Sequence, residues 1–302
     1  MDTNNIVGGM ESEVSRVSVR ASEQAYKIIP ETLKKAEYQT VTNNNAPGKP
    51  VLRASTAILV LIIFLAGQLI ASIIGSIFVI IKQIAGNGIT NQEDLFQGLT
   101  LGGMPVIVFA SAIGGAVALA AGANLVRKSL QDNSLFGAAW QSGKPKAIIT
   151  SVFLGAGAAL MYMVISSLLI NLFSFEAGQK GGPLTQMAAQ PGFGLATIIF
   201  LALFIAPFAE EFLFRGILLG GLNRSFGIWW GIIISNLLFI ILHFTEAIYF
   251  WPAFLGIGLL SAMATWLRLT QKAIGPAVAV HFGYNLLMMG LTVIAKADGS
   301  GV

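Results

Sequence analysis

The chain has 302 residues, no cysteine, two histidines and a formal net charge of +4; 55% of it is hydrophobic, only 11% is charged, and the mean hydropathy is +0.75. A soluble domain carries about 25% charged residues, so this composition excludes a soluble globular class and points to an all-α, polytopic membrane protein. The missing cysteine excludes a disulfide framework, a thiolate metal site and a cysteine nucleophile. The basic residues lie mostly in loops and tails, where they bear on membrane topology and not on nucleic acid.

Residues 1–53 are polar, of mixed charge, and end in a linker-like run, Asn43-Asn44-Asn45-Ala46-Pro47-Gly48-Lys49-Pro50. Val14, Val17, Ala21, Tyr26 and Ile29 form a weak apolar stripe. It fits a solvated tail with some helix, or a helix lying on the membrane surface. The start lacks a basic n-region followed by an apolar stretch, so the first apolar run is expected to stay as a permanent span.

A membrane span needs ~20 apolar residues. Seven runs qualify or come close: Ala54–Ile81, Leu101–Val126, Ala147–Phe173, Phe193–Leu222, Ile228–His243, Phe250–Leu267 and Ala273–Ala295. The fifth and sixth are short. The domain expectation is a polar segment over 1–53, three spans within 54–175 and a four-span core within 193–295. Arg and Lys fall in alternate connections: seven in residues 1–53, then Arg127, Lys128, Lys144 and Lys146, then Arg224, then Arg268 and Lys272. The positive-inside rule then predicts a cytoplasmic N-terminus and a C-terminus on the opposite side. Gly114, Ala118 and Gly122 recur every four residues in the second span, a face on which helices pack closely.

Charge enters the apolar runs at one place, Pro207-Phe208-Ala209-Glu210-Glu211-Phe212-Leu213-Phe214-Arg215. A charge at mid-bilayer depth costs at least ~2.5 kcal/mol, which makes such residues candidates for function. Pro207 lacks an N–H and its ring clashes with the carbonyl of Leu203, so a kink and a wet pocket are expected just before Glu210. Glu211 and Arg215 are four apart and share a face. Glu210 points about 100° away and keeps no partner nearby in sequence, which suits a carboxylate that moves protons.

Both histidines lie in later spans: His243 closes the fifth, and His281 shares a face of the seventh with Asn285. At ~1.5 Å per residue, Glu210 lies ~18 Å from a span end at Leu222 and His281 ~13 Å from Lys272, whereas His243 comes out ~24 Å from Gly227. A tilted or shortened fifth span is needed to reconcile them. There is no His-Glu-x-x-His, no Gly-x-Ser-x-Gly and no pair of aspartates within the spans. Glu, two His and Asn remain.

In these residues the chain resembles the CPBP family of intramembrane proteases (type II CAAX prenyl endopeptidases and bacteriocin-processing enzymes, also called the Abi family). The family's three motifs read here as Glu210-Glu211-x-x-x-Arg215, Phe239-x-x-x-His243 and His281-x-x-x-Asn285. The resemblance implies an endopeptidase acting on a peptide or protein near the bilayer. Glu210 and His243 would activate a water, His281 and Asn285 would stabilise an oxyanion, and Glu211, Arg215 and Phe239 would support them. It leaves two chemistries open: a zinc held by Glu210, His243, His281 and Asn285, or a metal-free glutamate mechanism. The alternative expectation is a non-catalytic regulator or bacteriocin self-immunity protein of the same fold.

Overall fold

The computed structural model describes residues 52–87, 92–173, 182–189 and 192–297. The N-terminal stripe and linker lie outside these residues. Seven helices organise the rest: α1 (Ala54–Asn87), α2 (Met104–Ala123), α3 (Pro145–Phe173), α4 (Phe193–Phe226), α5 (Ile228–Leu242), α6 (Ala253–Gln271) and α7 (Gly275–Ala297). Among the described residues there is no strand. Six of the helices are long and apolar enough to cross a membrane. The exception is α5, whose 15 residues reach ~22 Å at 1.5 Å each, short of a ~30 Å hydrocarbon core.

Most helix ends differ from the expected spans by a few residues, and two extensions, each of four or more residues, change the reading of α1 and α4. α1 continues beyond Ile81 through Lys82 and Gln83 to Asn87. α4 continues past Leu222 to Phe226 and stops at Gly227, whose φ of 84° and ψ of 164° end the helix and start α5 at once. Only glycine takes that backbone conformation without strain, so α4 and α5 form a hairpin about one residue.

Small residues set the two closest helix pairs. α1 meets α2 where Gly67 and Gly114 face each other; a Cβ on either would collide with Ala118 or Ala71 across the interface. α3 meets α7 where Gly155 lies against the carbonyl of Val280 and Gly283 against that of Val152. Without lipid-excluded apolar gain between helices, such close approach is what holds spans together.

The connection between α2 and α3 is packed into the bundle, with Leu135, Phe136, Ala138 and Ala139 buried. Its carbonyls need partners there. Asn223 Nδ2 donates to Leu135 O (3.3 Å), and Arg268 NH2 donates to Ser134 O (3.2 Å) and Gly137 O (3.4 Å). Arg224 pairs with Asp132 at 3.1 Å. Arg268 was expected in a loop as a topological charge; it instead lies on α6 at 1% exposure, because its fork satisfies three backbone carbonyls at once.

Candidate active site

Helix α4 changes geometry around the two glutamates. α-Helical turns give way to π-helical ones over Leu201–Ile205 and again over Phe212–Leu218, with an α-helical segment Ala206–Glu211 between them. Widened turns of this kind leave carbonyls without an amide and recur at functional sites. Ala206 N–H reaches five residues back to Leu201 O. The next amide in that register would be residue 207, and proline has none. Ala202 O is therefore left over, and Asn285 Nδ2 donates to it at 2.8 Å. The vacant carbonyl is thus Ala202, one residue before the Leu203 expected from an unbroken α-helix. At the second π segment, Leu219 N–H reaches back to Phe214 O, which also accepts from Ser235 Oγ at 3.2 Å. Arg268 Nε donates to the neighbouring carbonyl, Arg215 O, at 3.1 Å. Side chains from α5, α6 and α7 hold the altered helix in place.

The two carboxylates go to different neighbours. Glu211 is fully buried; its Oε2 lies 3.1 Å from Arg215 Nε, and its Oε1 accepts from Arg215 NH1 at 3.2 Å and from His281 Nδ1 at 2.9 Å. Arg215 is 1% exposed. Its NH2 donates to both Ser261 O and Ser261 Oγ at 2.8 Å, and its guanidinium sits 4.4 Å from the centre of the Phe239 ring. Ser261 and Thr265 in turn donate to Asn236 Oδ1 at 2.6 and 2.9 Å. A guanidinium in such a place is held by a two-point carboxylate contact and a ring face.

Glu210 faces His243. Its Oε2 is buried, accepts no hydrogen bond, and lies 3.7 Å from His243 Nε2. The imidazole is fixed from behind: Nδ1 is 2.9 Å from Phe239 O, and the ring packs 4.7 Å from that of Phe239. A carbonyl can only accept, so Nδ1 carries the hydrogen and Nε2 of neutral His243 presents a lone pair to Glu210. Two acceptors at 3.7 Å do not bond directly; a bridging proton donor such as water satisfies both. The Phe-x-x-x-His spacing has a physical content here, since residue i supplies both the ring and the carbonyl that orient residue i+4.

These groups line a cavity of about 980 Å³ bounded by Glu210, Phe239, His243, His281, Tyr284 and Asn285, with Thr185, Glu246 and Lys296 also on its wall. Glu246 lies outside the spans in the short helix Phe244–Ala247. It accepts Leu184 N–H at 2.9 Å and so ties the short helix Pro183–Ala189 to the turn that carries His243. Burial pushes its carboxyl up from the ordinary value, opposed by the Leu184 and Thr185 amides, His243 and the Thr185 hydroxyl.

The fold brings Glu210 to His243 and Glu211 to Arg215 and His281. It does not gather the two histidines and Asn285 on Glu210: His281 Nδ1 is committed to Glu211, and the Asn285 amide to Ala202. Among the described residues, no three His, Asp or Glu side chains converge so that they could hold a metal ion. As the side chains stand, Glu210, His243 and His281 do not meet on one point, as the three or four ligands of a zinc centre do. Sequence reasoning missed the Ser261–Asn236–Thr265 buttress and Glu246. Asn236 carried a signal, as a carboxamide inside the apolar α5.

Residues 192–287 match the family model described as Type II CAAX prenyl endopeptidase Rce1-like. No curated protein and no solved structure gives a significant match to the chain.

Proposed function

We propose, on the premise that residues 192–287 are an Rce1-like type II CAAX prenyl endopeptidase domain, that this multi-pass membrane protein is an endopeptidase cleaving a peptide or protein presented at the bilayer. The observation that carries the proposal is the buried, unbonded Glu210 Oε2 facing His243 Nε2 at 3.7 Å on the wall of a large cavity. A water between them donates one hydrogen to each. As the substrate carbonyl approaches, Glu210 takes a proton from the water, and the water oxygen bonds to the carbonyl carbon. The same carboxyl returns the proton to the departing amine as the C–N bond breaks.

The charge that develops on the carbonyl oxygen needs a donor. His281 is suited to this. Its Nδ1 is anchored on the Glu211 carboxylate, and an imidazolium held there offers its remaining Nε2–H to the oxyanion. Asn285 retains one amide hydrogen beyond the one given to Ala202. Glu211 and Arg215 position His281 and Phe239. The proposed steps run on these side chains and one water.

With Arg268 removed from the loop charges, the remaining basic connections still alternate. We accordingly orient the N-terminus to the cytoplasm and the end of the cavity near Glu246 and Lys296 to the opposite side. The test is cleavage of an internally quenched peptide with a farnesylated C-terminal Cys-Ala-Ala-X sequence by purified protein in liposomes. Cleavage by wild type and its loss in Glu210→Gln are expected; equal cleavage by both would overturn the assignment of Glu210.

A further inference from the structure

The family-matched segment, residues 192–287, does not include the α1–α2 pair, yet those two helices complete the cavity. Between Ala57 and Ile81, α1 has three polar side chains, Gln68, Ser72 and Ser76; α2 has one, Ser111. Gln68, Ser72 and Ser111 all line the cavity that holds Glu210 and His243. Ser72 Oγ is satisfied by Gln68 O at 2.9 Å, within its own helix. The Gln68 carboxamide and the Ser111 hydroxyl have no hydrogen-bond partner among the described residues.

Gln68 is also given room. Its side chain lies across Gly115 of α2, where an added Cβ would come 2.6 Å from Gln68 Cγ and 3.0 Å from the Phe64 ring. Phe64, one turn earlier, is anchored in the core cluster against which Ala209 packs. The carboxamide is thus led over a glycine into the cavity beside the segment that carries Glu210. An amide facing an apolar membrane interior needs a partner, and a primary carboxamide offers a donor and an acceptor together. That pair matches the C=O and N–H of an extended peptide.

We propose that Gln68, with Ser111, is a substrate-binding site that holds the peptide backbone against α1 and α2 and so presents the scissile carbonyl to Glu210. This rests on the endopeptidase reading above. The ligand is the main chain of an extended peptide, and the contact is independent of side-chain identity. Gly115 belongs to the same device, because it lets the Gln68 stem pass.

The chain contains no cysteine, so an introduced thiol is unique. In the Glu210→Gln background, Gln68→Cys and Ser111→Cys react with a membrane-impermeant cationic methanethiosulfonate, whereas Leu69→Cys on the outer face does not. The farnesylated peptide slows labelling of both reactive positions. In the active protein, Gln68→Leu raises KM for that peptide about tenfold, the effect of losing one hydrogen bond, with kcat little changed and with unaltered melting. Gly115→Ala shifts KM in the same direction. A KM for Gln68→Leu equal to wild type, or labelling indifferent to the peptide, overturns the proposal. Loss of cleavage in wild type itself would instead strike the endopeptidase reading, since labelling and its protection do not depend on turnover.

Discussion

Glu210 and His243 stand seventeen residues before and sixteen residues after Gly227, and their side chains meet at 3.7 Å. The α4–α5 hairpin turns on that glycine, so two residues nearly equidistant from it arrive at the same depth. Gly227 has φ 84° and ψ 164°, and a Cβ added to it would meet nothing within 4 Å. Gly227→Ala therefore acts through the backbone alone. It is expected to lower stability by about 1–3 kcal/mol, seen as a reduced melting temperature in detergent, and to reduce activity by shifting Glu210 against His243.

The two adjacent glutamates respond oppositely to the same change. Glu211→Gln leaves the buried Arg215 without its carboxylate and His281 without its anchor, and is expected to cost about 3–5 kcal/mol. Glu210→Gln removes a buried carboxylate oxygen that has no hydrogen bond and is expected to melt at or above the wild-type temperature while losing activity. Thermal melting of the two variants side by side checks this contrast.

Asn285 and Pro207 are coupled through Ala202 O. Asn285→Ala strands that carbonyl, at about 1–3 kcal/mol. In a Pro207→Ala background the restored amide pairs with the α4 carbonyls, and Asn285→Ala should then cost less. A double-mutant cycle on stability reads the coupling; strictly additive costs would show that Asn285 does not serve the helix break.

Glu246 gives a pH signature. Its carboxyl is raised above the ordinary value of 4.5, chiefly by burial. A raised folded-state value means its contribution to stability is complete below about 4.5 and is lost as pH rises through the raised value. Wild-type melting should therefore fall relative to Glu246→Gln as pH increases above 4.5; parallel curves would contradict this.

The all-helical class and the seven apolar helices were legible because span length and hydropathy are local properties. The shared face of Glu211 and Arg215 was legible too, since i, i+4 spacing is set by one helix. The depth of Glu210 was underestimated, and His243 therefore looked too deep beside it, because apolarity fades at Leu222 while the helix runs on to Phe226. Gly227, read as the hairpin turn, would have matched the depths. Partners on different helices were not legible: nothing near His281 in sequence tells Glu211 from Glu210. The shift from Leu203 to Ala202 follows from π-helical turns, which a 3.6-residue periodicity does not encode. Arg268 looked like loop charge because its three carbonyl partners lie far away in the chain, two of them in the α2–α3 connection.

Glu210 and His243 are proposed to act as one unit on one water. The most direct measurement is kcat/KM for the farnesylated peptide in liposomes with wild type, Glu210→Gln, His243→Ala and the double variant. Residues acting as a unit are non-additive. Each single change is expected to cost at least about 10³-fold, with the double variant no worse than either single one. Wild-type rates in Glu210→Gln, or losses that multiply in the double variant, would contradict that joint action.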